Sequence, residues 1–187
     1  MKLPQIALYP APVSLHGLPD TFMTPAELRT LVHLVRSVKA ERMIEIGCNS
    51  GRTAALLLRN CDHLVEYVGV DVWPGYEFDR PCQRGEVPER PGEYAAADPR
   101  FVLMLNAEGS MGVTLPDADV IFIDGDHSER AVRHDTKLAR RLVRPGGMII
   151  WHDYHDQETV DVRKVLDEDG SKRLQHIAGT WLVIEAH

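Results

Sequence analysis

Short apolar runs alternate with amphipathic segments along most of this chain, and this alternation restricts the fold more than any other feature of the sequence. The apolar runs have the length of buried strands, whereas the segments between them repeat apolar residues at helical spacing. Strands that alternate with helices form a parallel sheet, because the crossover between two parallel strands needs a dozen or more residues. The sequence therefore predicts an α/β protein with a doubly wound, mostly parallel sheet and helices on both faces.

The individual elements follow from local patterns. Residues 24–40 predict a helix, because Thr24 and Glu27 can form a capping box around a proline and apolar residues then repeat at helical spacing. Strands are predicted at 42–47, 66–72, 101–105, 118–124 and 147–153, and helices at 51–60, 128–143 and 160–170. Residues 173–187 predict two short strands around Gly179, which add an antiparallel edge at the C-terminal end of the sheet.

Length and composition restrict the class of protein. A chain of 187 residues fits one domain, here residues 1–187, with one core. The formal net charge of -7 disfavours nucleic acid or anionic lipid as a partner. No apolar run approaches the roughly 18 residues that span a bilayer, and residues 1–22 lack the features of a secretion signal, so we expect a cytoplasmic protein. The three cysteines form no CxxC pair, which predicts reduced thiols.

Residues 73–100 interrupt the alternation. This stretch is rich in proline, glycine, arginine and glutamate and shows no clear periodicity. A structureless segment of this length within a compact domain is either a functional lid or a disordered region, and the sequence leaves both readings open. Trp73, Tyr76 and Phe78 at its start could form an aromatic wall over a substrate, or pack only against one another.

The turn after the strand at 42–47 predicts a ligand site, since ligands of open parallel sheets lie at the carboxyl ends of the strands. The turn consists of Gly47, Cys48, Asn49, Ser50 and Gly51. It fails the GxGxxG pattern of a dinucleotide site. Glu45, just before it, suits a ligand with an ammonium group, and Asp71 ends the next strand where a carboxylate can accept hydrogen bonds from both ribose hydroxyls. The two carboxylates together predict a ligand with an adenosine and an amino-acid head.

At these residues the sequence resembles the class I S-adenosylmethionine (SAM)-dependent methyltransferases, whose sheet is Rossmann-like. Their first motif, an acidic residue followed by Gly-x-x-x-Gly, matches Glu45, Gly47 and Gly51. Their second acidic motif matches Asp71, and the resemblance extends over residues 40–155. It implies SAM as the cofactor.

The resemblance also implies which residues contact that cofactor. The turn at residues 47–51 would contact the methionine moiety, Asp71 the ribose, and Asn106 with Ala107 the adenine. Asp124, at the end of a later strand, would lie beside the reactive end of the cofactor. The structural alternative is that the glycine turn is only a tight connection and that Asp71 caps a helix.

A second group of polar residues ends two further strands, in the segments FIDGDHS (122–128) and WHDYH (151–155). These segments place three carboxylates and three imidazoles at one edge of the sheet. The negative charges repel one another unless a bound cation or protons on the imidazoles compensate them. These segments resemble a small-molecule subgroup related to the metal-dependent O-methyltransferases, whose metal ligands fall on Asp124, His152 and Asp153. Those relatives carry aspartate where this chain has His152. Because imidazole is a poor ligand for magnesium, a bound divalent metal would be a transition ion. Alternatively the metal site is lost, and His152 serves as an acid, a base or a hydrogen-bond partner.

His127 is the candidate catalytic residue. It follows Asp124 by three residues, where the catechol-type relatives carry a lysine general base. The resemblance implies that its imidazole takes the proton of an acceptor hydroxyl during methyl transfer. The structural alternative is that His127 caps the next helix together with Ser128, while Asp126 orients His127 or caps that helix.

The leading hypothesis is a SAM-dependent methyltransferase that acts on an oxygen of a small-molecule acceptor. A nicotinamide-dependent oxidoreductase on a similar fold is the first alternative, but it should carry GxGxxG. A non-catalytic partner protein that keeps the SAM pocket is the second. Partners are expected to be small molecules, without nucleic acid or membrane, and homo-oligomerisation stays open. The sequence does not specify the acceptor.

Overall fold

The computed structural model describes residues 2–15, 22–76, 87–157 and 160–187, and within these ranges the chain forms eight strands and four helices. The strands are β1 (Gln5–Ile6), β2 (Arg42–Ile46), β3 (Glu66–Val72), β4 (Phe101–Asn106), β5 (Ala118–Ile123), β6 (Val143–Trp151), β7 (Leu174–Ile177) and β8 (Val183–Ala186). The helices are α1 (Pro25–Ser37), α2 (Arg52–Asn60), α3 (Glu129–Leu142) and α4 (Val162–Asp169), and a 3-10 turn spans Gly109–Gly112. No helix in these ranges is long and apolar enough to cross a membrane.

All eight strands form one sheet in the order β1-β7-β8-β6-β5-β2-β3-β4. Neighbouring strands are parallel except for β8, which is antiparallel to both β6 and β7. The predicted fold class is therefore confirmed, including the antiparallel C-terminal pair. The sequence did not reveal β1, which adds to the outer side of β7, because two residues are too few for an alternating pattern.

Helices cover both faces of the sheet. One apolar core joins α1 and α2 to alternate strand residues such as Met43 and Phe122. The other core joins α3 and α4 to the intervening residues, such as Ile44 and Ile121. This arrangement follows from the strand geometry, since successive side chains of a strand point to opposite faces.

The strand order reverses between β2 and β5. From β2 the chain winds to β3 and β4 on one side, whereas β5 and β6 lie on the other. The carboxyl ends of β2 and β5 are therefore adjacent, at the position where open α/β sheets bind ligands. Gly47 follows β2 and Asp124 follows β5, so the two predicted site segments meet here.

The capping box predicted for α1 is present. The backbone amide of Thr24 donates to Glu27 Oε2 over 2.8 Å, and the amide of Glu27 donates to Thr24 Oγ1 over 3.3 Å. The second carboxylate oxygen of Glu27 accepts a hydrogen bond from the backbone amide of Trp181, in the turn between β7 and β8, over 2.8 Å. The start of α1 is thereby tied to the C-terminal hairpin.

The segment 73–100 falls into two parts. Residues 77–86, which include Phe78, lie outside the described residues. Residues 87–100 pack on the turn after β2: the amide of Gly92 donates to the carbonyl oxygen of Asn49 over 2.8 Å, and that of Tyr94 to the carbonyl oxygen of Ser50 over 3.0 Å. This part of the segment therefore supports the turn between β2 and α2.

Candidate active site

A cavity of about 450 Å³ opens at the carboxyl ends of β2, β3, β5 and β6, a size typical of small-molecule sites. The predicted site residues in its wall are Gly47, Asn49, Asp71, Asp124, His127, His152 and Asp153. Residues from the glycine turn, the predicted ribose site and the acidic cluster therefore line the same space. Four separate segments of the sequence converge there.

Gly47 makes this convergence sterically feasible. Its φ is +86°, and a Cβ atom at this position would lie 2.3 Å from the carbonyl oxygen of Asp124. Only a residue without a side chain allows β2 and β5 to approach so closely. Within the turn, Gly47 and Asn49 border the cavity.

Asp71 is fixed at the cavity wall by two backbone amides. The amide of Asn49 donates to Oδ2 over 2.6 Å and that of Val72 to Oδ1 over 2.7 Å. Burial raises the pKa of Asp71, although these hydrogen bonds oppose the shift. Each carboxylate oxygen has a second acceptor site, so both can still accept from a vicinal diol.

The other predicted residues of the turn lie behind the cavity. Cys48, Ser50 and Glu45 are buried and border a small hollow of about 40 Å³ beside it, together with Gly47. The Tyr67 hydroxyl donates to the Glu45 carboxylate over 2.9 Å. Gly51 precedes α2 and is packed against Gly92. These residues shape the turn. Glu45 does not border the main cavity.

The residues predicted on the adenine side follow β4. Asn106 closes the loop after β4, because its Nδ2 donates to the carbonyl oxygen of Gly112 over 3.1 Å and its Oδ1 accepts from the amide of Glu108 over 2.8 Å. Neither Asn106 nor Ala107 borders the cavity. The wall at this end is built slightly later in the chain, from residues 108–111.

The acidic cluster is compact. Nδ1 of His152 lies 3.2 Å from Asp124 Oδ1 and 3.1 Å from Asp153 Oδ2. Nε2 of His127 lies 3.0 Å from Asp153 Oδ2 and 3.9 Å from Asp124 Oδ1. Asp153 adopts a left-handed backbone conformation, with φ +59°. Two imidazoles therefore contact the same pair of carboxylates.

These contacts shift the pKa values strongly. Burial lowers the pKa of His152, but the charge of Asp124, hydrogen bonding to Asp124 and Asp153, and the nearby Glu27 carboxylate raise it to about 12. Burial likewise lowers the pKa of His127, whereas the adjacent carboxylates of Asp124 and Asp153 raise it to about 10. Burial raises the pKa of Asp153, and hydrogen bonds from both histidines hold it well below its usual range. Protons on the imidazoles thus offset the carboxylate charge.

A family model described as a methyltransferase domain matches residues 44–154, more than half of the chain. The chain belongs to this methyltransferase family. The family assignment made from Glu45, Gly47, Gly51 and Asp71 is thereby confirmed.

Solved structures share the fold of this methyltransferase at low sequence identity. An O-methyltransferase from Bacillus cereus in complex with SAH is 18% identical, with 91% of this chain and 85% of that chain covered and a TM-score of 0.58. The O-methyltransferase TomG from Streptomyces achromogenes, in complex with SAM, is 16% identical over 90% and 82%, with a TM-score of 0.57. The SAH-bound methyltransferase PaMTH1 from Podospora anserina is 17% identical over 88% and 79%, with a TM-score of 0.63.

Among curated proteins, a stretch of 44 residues is 46% identical to the uncharacterized protein R132 of Acanthamoeba polyphaga mimivirus. The match covers 23% of this chain and only 20% of the viral protein. The activity of this methyltransferase therefore has to be argued from its own site.

Ser128 is the N-cap residue of α3. Ser128 precedes α3 and accepts from the amide of Ala131 over 3.4 Å, while Asp126 accepts from the amide of Ser128 over 2.8 Å. The ring of His127 points to Asp153 instead. Ser128 and Asp126 thus make the contacts at the start of α3, and His127 contacts the acidic cluster.

Sequence reasoning missed three residues of the site. Glu27 was identified only as a capping residue, yet its Oε1 lies 3.7 Å from Nε2 of His152. Ser110 and Asp135 border the far end of the cavity. Asp135 left a signal in the sequence, because it is a carboxylate on the apolar face of an amphipathic helix, where it lies buried in the methyltransferase. Glu27 and Ser110 left none.

Proposed function

We propose that this methyltransferase transfers the methyl group of SAM to a hydroxyl oxygen of a small-molecule acceptor. One observation carries the proposal: the ribose-type carboxylate Asp71, the open glycine turn and the cluster around His127 line the same cavity. The turn would receive the methionine moiety and Asp71 the ribose hydroxyls. The sulfonium methyl group would then lie toward Asp124 and His127.

Methyl transfer is a direct displacement, in which the acceptor oxygen forms a bond to the methyl carbon as the carbon–sulfur bond breaks. The protein chiefly aligns the two groups and removes the hydroxyl proton. His127 borders the cavity and accepts this proton on its imidazole when the ring is neutral. A neutral hydroxyl needs such a base, and the solved neighbours described as O-methyltransferases agree with oxygen as the target.

We further propose that a divalent transition metal binds Asp124, His152 and Asp153. One donor atom from each residue lies within 4.8 Å of the other two. The Nδ1 to carboxylate distances of 3.1 and 3.2 Å match the spacing of about 3.0 to 3.5 Å between neighbouring ligands around an ion with bonds near 2.1 Å. The donor set therefore fits a small cation. When bound, the ion would lower the pKa of the acceptor hydroxyl and offset the carboxylate charge that keeps His127 protonated.

Glu27 supports the metal proposal from the other side of His152. Metal-binding histidines usually direct their second ring nitrogen toward a carboxylate or carbonyl group. Nε2 of His152 is buried without a hydrogen-bond partner at present and faces Oε1 of Glu27 at 3.7 Å. Glu27 itself is held by Thr24 and by the amide of Trp181. Glu27 is thus placed to orient the imidazole of His152, as carboxylates do for metal-binding histidines.

Calorimetric titration with S-adenosylhomocysteine (SAH) tests the cofactor assignment. We expect saturable binding that weakens at least tenfold in Asp71→Ala, with NADH inert as the control for the oxidoreductase alternative. Asp117→Ala, a change at a carboxylate remote from the cavity, should bind as the wild type does. Binding of NADH but not of SAH would contradict the proposal. SAH binding without turnover on any hydroxylated acceptor would favour the non-catalytic alternative.

Metal analysis of protein purified without chelator tests the second proposal. We expect a transition ion near one equivalent in the wild type and a large loss in Asp153→Ala. Asp156→Ala changes an exposed carboxylate close by and should retain the ion. Equally negligible content in the wild type and in Asp153→Ala would rule out the metal.

A further inference from the structure

The end of the cavity beyond Asp71 is the least explained part of the site. Its wall comes from the 3-10 turn after β4, which packs on the end of β3: a Cβ atom on Gly109 would lie 3.5 Å from Val72 Cγ1. If Asp71 holds the ribose and the methyl group lies toward Asp124, the base of the cofactor must extend to this turn. A role for this turn in binding the base therefore rests on SAM as the proposed cofactor.

Two polar side chains border the cavity at this end. Ser110 on the turn is 7% exposed and Asp135 on α3 is 3% exposed, and the Ser110 hydroxyl donates to Oδ1 of Asp135. Burial raises the pKa of Asp135 to about 7; the hydrogen bond from Ser110 opposes this shift, and the charge of Asp126 adds to it. A buried acid at a cavity wall is destabilising unless a ligand or the fold uses it. Methyl transfer does not require this one.

The hydrogen-bonding pattern of adenine matches this pair. The 6-amino group of adenine donates and its N1 accepts. A carboxyl oxygen accepts from the amino group in either protonation state, and a protonated carboxyl group also donates to N1. The hydrogen bond that the Ser110 hydroxyl donates to Oδ1 favours the form in which this oxygen carries no proton and acts as an acceptor. Val72, Met111 and Ala131 border the same space and offer apolar contacts to the faces of the ring.

We propose that Asp135, oriented by Ser110, reads the 6-amino edge of the adenine and makes the site specific for an adenosine cofactor. Asp135 is then the specificity-determining residue at the base end of the cavity. Ser110 is a positioning residue that acts through Asp135. The competing role is structural, in which the pair only ties the 3-10 turn to α3.

A ligand that lacks the 6-amino group separates the two roles. The probes are SAH and its purine analogue, in which hydrogen replaces the 6-amino group, and the readout is the ratio of their dissociation constants by calorimetry. We expect the wild type to bind SAH about 10- to 100-fold more tightly than the analogue. Asp135→Ala should bring this ratio close to one, and Asp135→Asn should restore most of it, because an amide oxygen accepts from the amino group as well.

The matched control is Thr136→Val, which removes the neighbouring buried hydroxyl that accepts from Trp151 Nε1 over 3.0 Å. It should lower the stability of α3 packing and leave the ratio of dissociation constants unchanged. Equal binding of both ligands by the wild type, or an unchanged ratio in Asp135→Ala, would overturn the inference. A wild type that binds neither ligand would instead contradict the proposed cofactor.

Discussion

At the scale of single residues, the main feature of the site is the close contact between two carboxylates and two imidazoles. Asp153 contacts both His127 and His152, and Asp124 contacts His152 directly. His127 can act as a base only after it loses the proton that these carboxylates stabilise. Binding of the proposed metal would therefore change the protonation of His127.

The first prediction concerns the pH dependence of methyl transfer. With the pKa of His127 raised to about 10, the neutral base is scarce at pH 7 and increases about tenfold per pH unit. In the presence of chelator, kcat/KM should rise with pH toward 10, and a bound divalent ion should move this rise to lower pH. His127→Gln should lower kcat at least 100-fold and abolish the pH dependence in this range. A flat profile in the wild type would contradict the assignment of His127 as the base.

The second prediction concerns Glu27 as a partner of His152. Glu27→Gln keeps an amide oxygen for the capping contacts with Thr24 and places a neutral NH2 group, which can only donate, where Oε1 accepted from Trp181 and faced Nε2 of His152. The affinity for a transition ion should fall about 10- to 100-fold, measured by chelator competition and by the absorption spectrum of bound cobalt. Glu41→Gln, at an exposed position, is the control and should leave the affinity unchanged. Equal metal affinities in the wild type, Glu27→Gln and Glu41→Gln would show that Glu27 does not contribute to metal binding.

The third prediction concerns stability and pH through Glu45. Burial raises the pKa of Glu45 from its ordinary value of 4.5 to about 8, although the hydrogen bond from Tyr67 opposes the shift. A carboxyl whose pKa is higher in the folded state stabilises the fold most below its unfolded pKa. This stabilisation is lost as the pH rises toward 8.

Glu45→Gln keeps the hydrogen-bond acceptor for Tyr67 and removes the titration. Between pH 5 and pH 9, the free energy of unfolding of the wild type should fall by a few kcal/mol relative to this variant. Denaturant titrations across that range measure the difference. Parallel curves for the two proteins would contradict the pKa assigned to Glu45.

At the scale of secondary-structure elements, the turn from β2 to α2 organises the site. It fixes Asp71 through the amide of Asn49 and approaches the segment after β5 through Gly47. Residues 87–100 cover its other side. Stability and ligand binding therefore depend on the same few residues.

The fourth prediction compares the effect of an alanine substitution at Gly47 and at Gly179. Gly47 and Gly179 both have positive φ, of +86° and +79°, but only Gly47 has no room for a Cβ atom. Gly179→Ala should lower the free energy of unfolding by about 1 kcal/mol through backbone strain alone. Gly47→Ala should lower it by at least about 2 kcal/mol more and should abolish SAH binding. Similar losses in both variants would show that β2 and β5 can separate at little cost.

At the scale of the whole molecule, the sequence predicts local patterns well and contacts between distant segments only in part. The capping box of Thr24 and Glu27 and the bounds of β3 follow from local spacing. The meeting of Gly47 with Asp124 follows from the general rule for open parallel sheets. No local pattern indicates that Glu27 faces His152, because that contact depends on how α1 docks beside the C-terminal hairpin.

The same limit applies to the end of the cavity at residues 108–111. The resemblance implies that Asn106 contacts the adenine, and in the structure its side-chain amide donates to the carbonyl oxygen of Gly112. Ser110 and Asp135 come together only because α3 packs on the 3-10 turn. Side-chain hydrogen bonds within loops, and the docking of helices on them, are decided by tertiary packing.

A crystal structure of the protein with SAH would test the proposed methyl transfer. We predict that the ribose hydroxyls bind Asp71, that the sulfur lies toward Asp124 and His127, and that the adenine extends to the turn at residues 108–111. A ligand bound outside this cavity, or bound in the reverse direction with its base beside His127, would contradict the proposed methyl transfer.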